Sequence, residues 1–160
     1  MENLEASIDI SAPLELCYQW WRDFLAYPSF IHNVQSVTQI SEKVWRYGLV
    51  GQEGDVSQWD LELDQDIPNR LISWRSLAGP ELDIWIDSSF IQLASNETHA
   101  TLAVALSYPK NPVGTILKKL YGVNIETLTK NLQSFKAVIE ADFKGKKVFQ
   151  NCGQPASEKT

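Results

Sequence analysis

Two cysteines, two histidines and one methionine among 160 residues remove several classes of explanation at once. Cys17 and Cys152 are too few and too far apart for a disulfide framework or a zinc spacing. Set among Leu16, Tyr18 and Trp20, Cys17 reads as a small buried apolar side chain, and unpaired thiols fit a reducing, cytoplasmic compartment. His32 and His99 have no cysteine or carboxylate cluster beside them, so no metal site is expected. No apolar run approaches the roughly 18 residues of a membrane span. Met1-Glu2-Asn3-Leu4-Glu5 lacks the basic start and apolar stretch of a signal peptide. Excess positive charge is missing too. A formal charge of −6 argues against nucleic acid as a partner and against a polybasic attachment to anionic lipid. Phosphate loops, dinucleotide fingerprints and nucleophile elbows are likewise absent, and no cofactor is expected.

What remains is the pattern of an α+β domain, long enough to bury a core without staples. Residues 1–145 read as that domain, and the polar, aperiodic stretch 146–160 as a mobile tail. The first strand is marked by Leu4, Ala6, Ile8 and Ile10 alternating with Glu5, Ser7 and Asp9. Ser11-Ala12-Pro13 opens a helix, with Ser11 as its cap and Leu16, Cys17, Trp20, Trp21 and Phe24 on its apolar face. Tyr27-Pro28 breaks it and starts a second short helix. Six strands follow, over about 34–40, 43–50, 56–66, 70–77, 82–93 and 99–108. The separators are turn-like, Pro68-Asn69 and Ser95-Asn96 among them, and such short links demand antiparallel neighbours. In the strand around residue 60, Trp59, Leu61 and Leu63 alternate with Asp60, Glu62 and Asp64, so one face is buried and the other wet. A final helix from about Ile125 to Phe143 carries Leu128, Leu132, Phe135 and Ile139 as one apolar stripe. A twisted sheet of about seven strands curls, and one helix laid in its hollow leaves room for a cavity.

The order of elements and several local motifs resemble the START-like, or Bet v 1-like, superfamily, and within it the bacterial polyketide cyclase/dehydrase and lipid-transport group. The motifs are Ile8-Asp9-Ile10-Ser11-Ala12-Pro13 leading to Trp21-Arg22-Asp23-Phe24, then Tyr27-Pro28-Ser29-Phe30 and His32-Asn33-Val34-Gln35-Ser36-Val37. Trp59-Asp60, Ile72-Ser73-Trp74-Arg75-Ser76 and Pro112 before the last helix complete them. The resemblance spans about residues 4–143. It implies a helix-grip fold: a curved antiparallel sheet wrapped around the long C-terminal helix, with two short helices after the first strand. Function is left open by it, since such folds carry cyclases, lipid carriers, receptors and quinone-binding proteins.

Candidate ligand contacts come from the concave phase of the strands. Tyr47, Trp59, Trp74, Phe90 and Tyr108 offer large apolar area, and the two tyrosine hydroxyls need partners inside. Ser76 shares the phase of Trp74, and Ser88 interrupts the apolar phase of Ile84, Ile86 and Phe90. Leu128 and Leu132 of the helix stripe complete the expected lining. Any one of these side chains alone is better explained as core. Arg75, opposite in phase to Trp74, is expected outside, paired with Asp60 or Asp83. His32, at the junction before the second strand, is the one candidate for acid–base chemistry. Ile116-Leu117-Lys118-Lys119-Leu120-Tyr121 reads as packing against the sheet with its lysines in solvent.

Three functions compete. A binding or transport protein for a lipid, isoprenoid, quinone or polyketide-like compound needs only the cavity, and is the favoured reading. A polyketide aromatase/cyclase needs in addition an inward acid–base pair, which only His32 hints at. A protein-interaction accessory, or a homodimer, would use an exposed Trp45 or Trp85.

Overall fold

The computed structural model describes residues 2–51, 54–77, 83–107 and 124–152, with 147–152 as helical backbone. Alternation in the sequence becomes alternation in space. β1 (Glu2–Ile10) turns Leu4, Ala6, Ile8 and Ile10 inward and Asn3, Glu5, Ser7 and Asp9 to solvent. α1 (Leu14–Arg22) buries Leu16, Cys17 and Trp21, and a 3₁₀ helix (Phe24–Ser29) buries Phe24. Then come β2 (Val34–Gln39), β3 (Val44–Val50), β4 (Val56–Ile67), β5 (Leu71–Ser76), β6 (Asp83–Ala94) and β7 (Glu97–Ser107). α2 (Ile125–Cys152) closes the described chain.

The seven strands form one antiparallel sheet in the order β1-β7-β6-β5-β4-β3-β2. β2 to β7 make a meander and β1 pairs with β7, Ile8 opposite Ala100. This is the curved sheet and helix of the helix-grip fold, as expected. Tight turns set the register. Between β4 and β5, Pro68 and Asn69 form the corner, with Asn69 at φ 62 and Arg70 N–H donating to Ile67 O (3.0 Å). Irregularities at Leu63/Gln65 in β4 and Gln92/Ala94 in β6 add bend and twist.

Several expectations need correction. Ser11 does not cap α1; Pro13 holds that position without a side-chain bond, and Ser11 N–H donates to Glu140 Oε2 (2.7 Å). α2 runs on past Phe143 to Cys152, so the stretch after residue 145 begins as helix. Trp45 is not an exposed interface residue but lies in the core at 5 % exposure. Trp85 is half-buried on the convex face, opposite Arg75 and Ala105. Arg75 is exposed on that face, as phase demanded, but Asp60 is held by Arg46 (2.8 Å). The hydrogen bonds from Arg46, helped by its charge, outweigh the modest burial of Asp60 and keep its carboxyl below the usual range.

Two packing regimes share the space between sheet and α2. Beneath the middle of α2 and under α1, aromatic rings interlock. Trp21 stacks on Phe135 (centroids 3.8 Å apart, planes 12° apart), and Phe24 meets Trp74 (4.6 Å) and Trp45 (5.2 Å) edge-on. Polar bonds fasten this block from outside. Tyr18 O–H and Arg22 Nε–H both donate to Asp66 near the end of β4, and Trp20 Nε1–H donates to Asp142 (3.0 Å). Lys136 Nζ reaches both Asp9 O (2.7 Å) and Glu140 (2.6 Å). Beneath the first half of α2 the packing is different.

Candidate ligand cavity

A cavity of about 130 Å³ opens there, between the concave face of β3–β7 and the first three turns of α2. Its floor is the edge of the aromatic block, with Trp21, Tyr27, Trp74 and Phe135. Ile84, Ile86, Leu102 and Val104 form the sheet wall, and Thr127, Leu128 and Asn131 the helix wall. Asn33, Val34 and Leu49 stand towards the β2–β3 edge. Alternation puts every second residue of each strand on this wall, which makes it almost wholly apolar.

The polar atoms on the wall divide sharply. Tyr27 O–H donates to Trp21 O (2.5 Å) and is satisfied. The hydroxyl of Tyr47 and Oδ1 of Asn33 are buried with no hydrogen-bond partner among the described residues. A buried polar group left unpaired costs about 1–3 kcal/mol, so two of them on residues lining one cavity mark it off from ordinary core. Burial pushes both phenols well above their usual range, which keeps Tyr27 and Tyr47 protonated. Among the described lining residues there is no Asp, Glu, Lys, Arg or His.

The expected site residues separate accordingly. Tyr47, Trp74, Ser88 and Leu128 line the cavity together. Trp59 shares the concave phase, but its indole N–H runs along its own strand to Ser57 Oγ (2.8 Å), outside the lining. Ser76 Oγ accepts from Ile84 N–H (2.9 Å) at the end of β5, a sheet-closing bond. Phe90 packs edge-on against Trp21 (5.0 Å), within the filled block. Leu132, 1 % exposed, is sealed core one turn beyond Leu128. Tyr108 and residues 116–121 lie outside the described residues. His32 is exposed and faces a separate, shallower groove of about 530 Å³ with Lys130, Gln133, Ser134 and Ala137. Asn33, Thr127 and Asn131 line both spaces and form the threshold between them.

Asn33, Asn131, Thr127 and Tyr27 were not foreseen. One of them left a trace: Asn131 falls three residues after Leu128 and four before Phe135, so a polar residue interrupts the apolar stripe. Asn33 left none, since a polar residue just before a strand is ordinary.

A family model described as "Polyketide cyclase / dehydrase and lipid transport" matches residues 10–135. The chain belongs to this family. An uncharacterized 17.2 kDa protein of Streptomyces lincolnensis is 24 % identical over 140 residues, which are 88 % of this chain and 91 % of that one. Among solved structures, a START superfamily protein from Mycobacterium smegmatis shares the fold with a TM-score of 0.67 at 12 % identity, over 89 % of this chain and 97 % of that one. The ZhuI aromatase/cyclase of a Streptomyces species does so with a TM-score of 0.63 at 18 % identity, over 93 % and 94 %. At such identities the likeness speaks for the fold, and the residues of this member of the family must speak for its function.

Proposed function

We propose that this protein binds a largely apolar small molecule in the cavity beneath α2 and does no chemistry on it. Lipids, isoprenoids, quinones and polyketide-like compounds are the class. The observation that carries the reading is the pair of buried, unpartnered atoms, Tyr47 Oη and Asn33 Oδ1, on an otherwise apolar wall. The protonated phenol donates to a ligand oxygen, and the amide oxygen accepts from a ligand O–H or N–H. Apolar burial supplies the affinity and these two bonds the orientation.

Size and chemistry both bear on the choice. An engineered apolar cavity of about 150 Å³ admits benzene, so a volume of about 130 Å³ takes one ring or a short branched segment. A larger ligand inserts one end. A cyclase would need a general acid and base within reach of the substrate. The described lining offers phenols held protonated, amides and hydroxyls, while His32 faces the outer groove. That favours binding over catalysis.

The test is native mass spectrometry of freshly purified protein, then solvent extraction of what it carries. A discrete hydrophobic species bound one to one is the expected result, with occupancy reduced in Tyr47→Phe. A protein that emerges empty and also refuses fatty acids, quinones and aromatic polyketides would return the cavity to the status of a packing defect.

A further inference from the structure

Resting on the binding reading above, we infer that the groove outside the cavity is a second subsite, which takes an anionic end of the same ligand. The ligand is then an amphipathic acid, its apolar body inside and its carboxylate at Lys130 and His32.

Adjacency is the first support. Asn33, Thr127 and Asn131 line the cavity on one side and the groove on the other, so the two hollows adjoin across these three side chains. Volume is the second. The cavity holds about 130 Å³ and the groove about 530 Å³, so a ligand larger than one ring has its remaining length in the groove.

Charge is the third support, and it fixes the orientation. The described cavity lining contains no ionisable residue other than tyrosine. An ionised group placed there would lose its hydration and gain no counter-charge, so a charged end stays out. The described groove lining has Lys130 and His32, three side-chain amides (Asn33, Asn131, Gln133) and two hydroxyls, with no carboxylate. In a chain of net charge −6, a carboxylate-free hollow that carries a lysine is selective for an anion over a cation. Lys130 does have a partner, Glu126 at 3.2 Å. Both side chains are largely exposed, and an exposed pair one helical turn apart is weak enough to yield to a ligand carboxylate held by its own buried body.

Two probes with one body separate the two subsites: 6-phenylhexanoate and its primary amide, titrated at pH 7.5 and low salt. Tryptophan fluorescence reads entry, because Trp21 and Trp74 line the cavity. The carboxylate is expected to bind about two- to fivefold more tightly than the amide, the range of an exposed ion pair. Lys130→Glu should bring that ratio to one or below. Lys146→Glu makes the same charge change on α2, 16 residues and about 24 Å further along, and should leave the ratio as it was. Equal binding of the two probes overturns the anionic subsite and leaves the cavity reading intact. A preference that survives Lys130→Glu also overturns it. Failure of both probes to enter takes the cavity reading down, and the subsite with it.

Discussion

The two halves of the space beneath α2 use the same kinds of residue to opposite ends. Under α1 and the middle of α2, rings pack on rings: Phe24 meets Tyr27, Trp45 and Trp74, and Trp21 lies flat on Phe135. The polar groups around that block are directed at the protein itself, Tyr18 and Arg22 to Asp66, Trp20 to Asp142, Ser11 N–H to Glu140. Under the first half of α2 the side chains stop short of one another, and Tyr47 Oη and Asn33 Oδ1 point at nothing. One half is a clamp that fixes the geometry of the grip. The other is a vacancy that the clamp holds open. A close-packed interior would collapse onto such a space if its walls were free to move.

Breaking the clamp should have the largest effect. Phe24 is 2 % exposed and touches four side chains of the block, Tyr27, Trp45, Trp74 and Arg22, so Phe24→Ala is expected to cost about 3–5 kcal/mol. Urea unfolding measures it. A loss near 1 kcal/mol would mean that the block is no stiffer than the cavity, and the contrast would fail. The hollow half should answer in the reverse sense. Tyr47→Phe removes a buried hydroxyl with no partner, so the ligand-free protein should keep its stability or gain about 1 kcal/mol. Ligand affinity should fall about five- to tenfold, the worth of one buried hydrogen bond. A stability loss of 2 kcal/mol or more would show that the hydroxyl serves the fold and not a ligand.

The same contrast explains what could be read from the chain. Strands were legible because alternation is local: Trp59, Leu61 and Leu63 announce β4 by themselves, and Pro68-Asn69 announces the corner after it. Trp45 was legible too and was misjudged. It stands two residues from Tyr47 in β3, and period two puts both on one face, in the core. Ser11 looked like a cap because it precedes Pro13, but the helix begins at Leu14, which puts Pro13 in the cap position and leaves Ser11 two residues short. The cavity was harder in kind. It is a volume left over where three helices and six strands fail to touch, and no single segment encodes an absence of contact. Phe90 shares phase with lining residues yet packs on Trp21 in the ring block, and Leu132 is sealed between the lining residues Asn131 and Phe135, distinctions that periodicity does not carry.

A smaller effect is expected where the clamp is polar. Burial by itself would raise the Glu140 carboxyl, but Lys136, the Ser11 N–H and the nearby Lys144 outweigh it and hold the group below its usual 4.5. A depressed carboxyl contributes stability above the unfolded-state value, and that contribution is lost as pH falls through the folded-state value. Glu140→Gln should therefore cost about 1 kcal/mol at neutral pH, seen as a lower Tm. The gap between wild type and variant should begin to narrow as pH falls to about 4.5 and close once pH is below the lower, folded-state value. A gap that does not change with pH would assign the loss to packing rather than to charge.

The smallest effect belongs to the convex face and sharpens the contrast from outside. Arg75 follows Trp74 directly, yet the pleat sends the two to opposite sides: Trp74 is 4 % exposed on the cavity wall, and Arg75 is exposed beside Glu62 and Trp85 in register. If orientation alone decides function here, Arg75→Ala should shift stability by no more than about 0.5 kcal/mol and leave ligand occupancy unchanged, as read by native mass spectrometry. Any loss of occupancy in a variant with wild-type stability would mean that the arginine reaches the ligand, which this register of β5 forbids. The adjacent pair thus tests the sheet at single-residue resolution: one neighbour is wall, the other is surface, and a one-residue slip of β5 would exchange them.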